Sequence, residues 1–422
     1  MKLSIISGLT LVALAVSLSS CLKDKCDSVM TYTVYNPVYI KMDEVRHDIQ
    51  TEAPRALKHP GKIYVFGRYL YVNEYHEGIH IIDNQNPENP QPISFIKIPG
   101  NVDMVVNGNL LYADNYVDLV TMNIENPQSP QFVSRTEDVF PSYGMFADLG
   151  HLMYFEPSQV TTQVSCESPN WGRGWWVEDS GLLYAVNSFD GAAPQNASAA
   201  TGGYGGSMAR FTLAADHLYV VDDYSLKVFS LDNVSQPALA TTINLGWGIE
   251  TIFPYENKLF IGANDGMHIY DNSNPLQPQF LSIFQHARAC DPVFVDGNLA
   301  YVTLRNGTTC QNFNNQLDVV DVTNLTNPIL LKSYPMNNPH GLSIVDKTLL
   351  LCEGSYGLKA FDVSEWDKIG ERQLSHITGF NTFDVIGLPG KVAIVTGSDG
   401  IYQFDFSNPS QMKQLSVMPV VQ

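Results

Sequence analysis

The sequence predicts an all-β protein, a β-propeller of eight four-stranded blades with seven as the alternative. Two observations carry this expectation. A strand-type unit returns with a period near 40 residues along most of the chain, which is the spacing of propellers and solenoids. Each unit also reads as four short strands, and a sheet of that size cannot bury both faces unless it packs against its neighbours around a channel.

Taken in chain order, residues 1–20 form a secretory leader: Met1-Lys2, an apolar run through Val16, then Leu18-Ser19-Ser20 before Cys21. The apolar core is too short to span a bilayer as a helix. A Cys directly after Leu-Ser-Ser resembles the lipobox of bacterial lipoproteins, which implies that Cys21 is diacylated and becomes the new N-terminus. Residues 21–60 are then a lipidated tether and N-terminal segment. Its start, Leu22-Lys23-Asp24-Lys25-Cys26-Asp27, resembles the Lys/Asp-containing signals that send some Gram-negative lipoproteins to the outer face of the outer membrane. The expected location is therefore the cell envelope, at the outer membrane, surface-exposed and held to the membrane by its lipid anchor.

The repeat occupies 61–417, with a tail at 418–422. GIHIIDNQNPENP at 78–90 returns as GMHIYDNSNPLQP at 266–278, and looser copies align on Asp83, Asn123, Ser230, Asp271, Asp321, Asp362 and Asp405. Successive anchors lie 40, 107, 41, 50, 41 and 43 residues apart. The long gap hides one more copy, opening at GMFADLGHLMYF (144–155) and followed by an insertion near 156–206 rich in Gly, Trp and Asn. An Asp or Asn before the corner accepts hydrogen bonds from turn amides, and the prolines after it stop strand pairing. The anchors therefore read as architecture. Ring closure is expected to involve YTVYNPVYI at 32–40, because the last unit supplies its own fourth strand.

These units closely resemble the LVIVD repeat, a propeller-forming repeat of exported bacterial proteins, through LDVVDV at 317–322 and the opening APRALKHPGKIYV at 53–65. The departures are the insertion in the third unit and Trp366 and Met412 where corner prolines are expected. The resemblance implies a propeller and carries no agreed chemistry.

Several function classes are disfavoured by residue content. The formal net charge is −19, a surface that repels phosphate backbones, so no nucleic-acid partner is expected. HEGIH at 76–80 spells the H-E-x-x-H of zinc proteases, but that motif requires a helix. Gly78, Ile81, Ile82 and the Asn/Pro run that follows read instead as a turn feeding a strand, where residues four apart stand about 13 Å apart. No metal, no cofactor and no catalytic set is assigned.

The candidate ligand-binding residues are those that enter the channel mouth just before first strands: Asp103, Arg210, Glu250, Asp291, His340 and Asp384. In the insertion, Trp171, Trp175, Trp176 and Tyr204 either stack on sugars or a partner, or plug one end of the ring. Cys290 and Cys310 fall at the same end of one unit and form the candidate disulfide. The function expected is non-catalytic capture of a glycan or an envelope protein. The alternatives are a polysaccharide hydrolase or lyase using Asp291 with His340, and a structural subunit of an envelope complex.

Overall fold

The computed structural model describes residues 27–47, 49–165, 203–205, 207, 209–285, 292–305 and 315–421. Cys21, Trp171, Trp175, Trp176, Cys290, Asp291 and Cys310 lie outside the described residues. Among the described residues, strands dominate and the one α-helix is Met42–His47. No helix among them is long and apolar enough to cross a membrane. The chain divides into two compact units, 1–38 with 154–186, and 39–153 with 187–422. In the first, Thr31 bonds Thr161, Gln159 bonds Thr33 and Asn36 bonds Ser158 across a pair of long strands.

The second unit is the propeller. Among the described residues, seven antiparallel sheets each hold four repeat strands in sequential order, at 60–97, 104–136, 211–244, 249–285, 293–335, 342–377 and 384–419. Below they are the first to seventh blades. First strands pack on one another in that order, and the seventh blade's Val392–Gly397 returns against Pro60–Phe66. The ring thus closes as seven blades, the alternative in the sequence reading. The third repeat unit does form its opening hairpin, Met145 opposite His151 and Phe146 opposite Gly150. That hairpin belongs to a separate three-stranded sheet with Asp27–Ile40. With it outside the circuit, the second blade meets the third directly: Tyr112 Oη donates to Val234 O, and Ser134 and Thr136 donate to Ser235 O and Pro237 O.

The repeated letters have repeated causes. At every one of the seven anchors, the side-chain oxygen accepts the backbone N–H two residues on, as Asp83 does from Gln85 and Asp321 does from Thr323. This is the turn role assigned to Asp and Asn. Third strands open on Gly78, Gly266 and Gly400 and directly after Gly357, and all four φ values are positive. A Cβ there would lie 2.0–2.4 Å from a carbonyl oxygen of the fourth strand, so no larger residue fits. Each blade also carries a register shift between its third and fourth strands, an irregularity that bends the strand and increases its local twist.

The seam between the seventh and first blades is closed differently from the expectation. Strand Asp27–Ile40 pairs with Gly150–Ser165, so 32–40 is not the closing element. The segment after it is. Thr51 bonds Pro130 O on the second blade, and Gln50–Glu52 adds a strand to the outer edge of the first. Arg55 stacks 3.5 Å over Phe95, and Leu57 bridges Val420 at the end of the seventh blade. Beneath this strap Asn84 and Gln403 exchange amide hydrogen bonds, Ser416 donates to Pro87 O, and Leu57, Ile63, Leu70, Ile386 and Ile394 share one buried cluster. Closure without strand sharing therefore rests on apolar burial plus an added cover strand.

Candidate functional site at the channel mouth

Strand register identifies the equivalent channel position on every blade. Ile63, Met104, Phe211, Ile252, Val293, Leu342 and Val385 each pair with the same place on their second strand. The residue before each is Lys62, Asp103, Arg210, Thr251, Pro292, Gly341 and Asp384. Four adjacent blades, from the seventh through the third, thus present Asp384, Lys62, Asp103 and Arg210, with charge alternating around the arc. The remaining three present uncharged side chains or none.

This arc is buried and already engaged. Tyr204–Gly205 pairs with Pro60–Phe66 at the inner edge of the first blade. Between there and the third blade, Ser207, Arg210 and Phe211 are held by the channel carboxylates. Asp384 Oδ1 accepts from Ser207 N at 3.2 Å and Ser207 Oγ at 3.0 Å, while Ser207 Oγ accepts from Leu342 N. Asp103 Oδ2 accepts from Arg210 N at 2.6 Å and Phe211 N at 3.3 Å, and its Oδ1 from Met104 N. Asp384 Oδ2 is buried with no hydrogen-bond partner among the described residues. Tyr204 is half-buried and packs against the core shared by the first and seventh blades.

Burial sets the protonation of the group. Desolvation lowers the Lys62 ammonium to about 8 despite the opposing fields of Asp103, Asp384 and Glu250. It also raises Asp103 above the usual carboxylate range, against the pull of Lys62 and the amides that bond it. Asp384 is pushed well above that range for the same reason. Asp114, which accepts from Val102 N, Asp103 N and Asn101 Nδ2, is raised by burial to about 7. Lys62 and Asp114 are thus placed near neutrality, and shifted groups of this kind mark functional sites as well as structural networks.

The arc opens to solvent at its Arg210 end. Arg210 Nη2 bonds Asp223 Oδ1 at 2.7 Å, and both side chains retain 18% exposure. Tyr143 Oη stands 3.5 Å from Asp223 Oδ2.

Of the sequence candidates, Asp103, Arg210 and Asp384 come together on the arc, with Glu250 close enough to act on Lys62. His340 turns elsewhere: its Nδ1 accepts from Arg305 Nη1 at 2.8 Å, and burial with the guanidinium field holds the ring neutral, well below 6.5. That geometry does not suit it to the acid/base role suggested with Asp291. Sequence reasoning missed Lys62, Asp114, Asp223 and Arg305; aligning first strands on the turn after them, at Gly67 and Gly108, would have placed Lys62 beside Asp103. The HEGIH stretch lies on a turn and the strand Gly78–Asp83. There His80 Nε2 bonds Glu74 at 2.8 Å and Glu77 bonds Arg55. His76, with φ 62°, is lowered to about 3 by burial. Among the described residues no group of three His, Cys, Asp or Glu is arranged to hold a metal ion.

The family model of the LVIVD repeat matches residues 60–93 and 287–335. No curated protein matches the chain. Among solved structures, the computationally designed Ika8 protein aligns with a TM-score of 0.52 at 11% identity, over 88% of this chain and 92% of that one. BamB from Moraxella catarrhalis aligns at 0.48 and 8% identity, over 89% and 97%. Sqt1 from Saccharomyces cerevisiae aligns at 0.48 and 10%, over 92% and 89%. Identities this low speak to fold alone.

Proposed function

We propose that this chain, whose LVIVD repeats at 60–93 and 287–335 belong to a β-propeller, is a non-catalytic binding module of the cell envelope. It is tethered by lipid at Cys21 and takes a glycan or protein ligand at the channel mouth. One observation carries the reading. Charge sits at a single register position on four adjacent blades and is missing from that position on the other three. A feature that repeats serves the ring; one that breaks the repeat on one side, at the end where loops converge, is where recognition is expected. The partly exposed Arg210–Asp223 pair offers donors and acceptors there, and Asp103 holds its backbone in place.

The test uses the full chain with Cys21→Ser, screened on a glycan array and by capture of envelope proteins. Arg210→Met and Asp223→Asn should each weaken whatever binds. Retained binding by both variants would move the site away from the mouth.

The polysaccharide hydrolase or lyase alternative draws its support from Lys62 near 8 and Asp114 near 7 rather than from His340. Groups that exchange protons near neutrality are what general acid–base chemistry uses. Turnover of an array-positive glycan by the wild type, abolished in Lys62→Met, would favour it over simple capture.

A further inference from the structure

The loops beside the third blade carry a feature that the ring itself does not use. Tyr143, Tyr224 and Trp247 are 54%, 50% and 50% exposed, large aromatic residues on three separate loops. Backbone bonds gather the loops of the last two: Leu245 N donates to Tyr224 O at 2.8 Å, and Gly248 N to Asp223 O at 3.0 Å. Tyr143 reaches Asp223 through its hydroxyl, and Asp223 holds Arg210. Three aromatic residues thus lie on loops tied, by these bonds, to one partly exposed ion pair beside the channel mouth. The core does not account for them, since the third blade's buried cluster is built from Tyr219, Val221, Leu226, Val228 and their neighbours.

We propose that Tyr143, Tyr224 and Trp247, with the Arg210–Asp223 pair, form a subsite for a neutral glycan. A pyranose ring offers a face of weakly positive C–H groups, which matches the negative face of an aromatic ring. Its hydroxyls each donate and accept. The guanidinium supplies donors only and the carboxylate acceptors only, and the pair together covers both. The charge argument selects neutral over acidic sugars. The ion pair has no net charge, and a chain of formal charge −19 repels uronates and sulfated sugars at low ionic strength. The subsite depends on the mouth being the binding face, and it goes further by naming the ligand class and the side chains that stack on it.

The experiment is calorimetric titration of the full chain with Cys21→Ser against four probes: mannohexaose, cellohexaose, chitohexaose and oligogalacturonate, with tryptophan emission followed in parallel. At least one neutral hexaose should bind and shift the emission. Trp247→Ala and Tyr224→Ala should each weaken it about tenfold or more, while thermal midpoints stay at the wild-type value because both rings are exposed. Loss of binding in Arg210→Met but not in Trp247→Ala or Tyr224→Ala would overturn the platform and leave the mouth reading intact. Binding of oligogalacturonate in preference to all three neutral probes would overturn the neutral class. Capture of an envelope protein with no response to any sugar would overturn the glycan assignment altogether.

Discussion

Asp271, Asp321, Asp362 and Asp405 at the outer corners and Asp103, Asp114 and Asp384 at the channel mouth are the same side chain in opposite surroundings. At the corners, hydrogen bonds from the hydroxyls and amides two residues on hold the carboxyl below its usual range. At the mouth, loss of water outweighs comparable hydrogen bonds and raises it. The corner geometry recurs around the ring, whereas the mouth carboxylates occupy only part of it. An acidic residue that recurs with the period is therefore doing a turn's work. One that occurs once, and sits where its charge is costly, is retained for something the ring as such does not need.

The largest expected effect breaks the buried side of that comparison. Asp103 binds three backbone amides and lies 3% exposed. Asp103→Ala should cost about 3 kcal/mol by leaving those donors without their acceptor, read as a drop in the denaturation midpoint. A cost no larger than that of a corner substitution would mean the crossing chain is held by something else. Lys62→Met tests the same arc through pH. The folded-state value of Lys62 lies below its unfolded value, so between about 8 and 10.5 the unfolded chain holds the extra proton. Wild-type stability should therefore rise with pH across that window, by about 1–3 kcal/mol. The variant should lose that rise, with chemical denaturation at pH 8 and pH 10 as the measurement.

Much of this division was legible in the residues. The Asp-x-x-Asn-Pro corners declared their turn role because local chemistry alone specifies it, and the structure has the bonds at all seven anchors. Asp103, Arg210 and Asp384 were found because propeller connectivity puts first-strand entries at the channel. What was not legible depends on contacts distant in sequence. GMFADLGHLMYF looks locally like any other opening hairpin, and only its pairing with Asp27–Ile40 removes it from the ring. Ser207 meets Asp384 across 177 residues, with no motif to announce it. Lys62 escaped notice because it lies within its strand, where a lone Lys reads as a solvent-facing residue; it is 7% exposed. The strap at 50–57 has a strand too short for periodicity to detect.

A smaller effect sharpens the contrast at Asp114. Its folded-state value near 7 exceeds the ordinary 3.8, so between those limits the folded chain holds the extra proton. Stability should fall as pH rises from 4 to 7, by on the order of 2 kcal/mol. Asp114→Asn should flatten that slope. A slope unchanged by the substitution would assign the acid dependence to other carboxylates.

The smallest effect belongs to a corner, and its sign is the reverse. Asp321 accepts from Thr323 N at 2.8 Å, and its pKa is lowered by the Thr323 side chain and amide together. Its contribution is present above the unfolded value of 3.8 and is lost as pH falls through the still lower folded value. Asp321→Ala should cost about 0.5–1 kcal/mol at pH 7, because water screens the group, and somewhat less at pH 2, where a protonated carboxyl keeps only its neutral carbonyl to accept from Thr323. Asn at the same position should keep most of the stability, since its amide oxygen can still accept from Thr323, as Asn123 accepts from Glu125 in the second blade. Denaturation midpoints of the three proteins at pH 7 and pH 2 decide it: if Asn were as damaging as Ala at pH 7, the corner would need the charge itself, and the turn account of the repeated acid would fail.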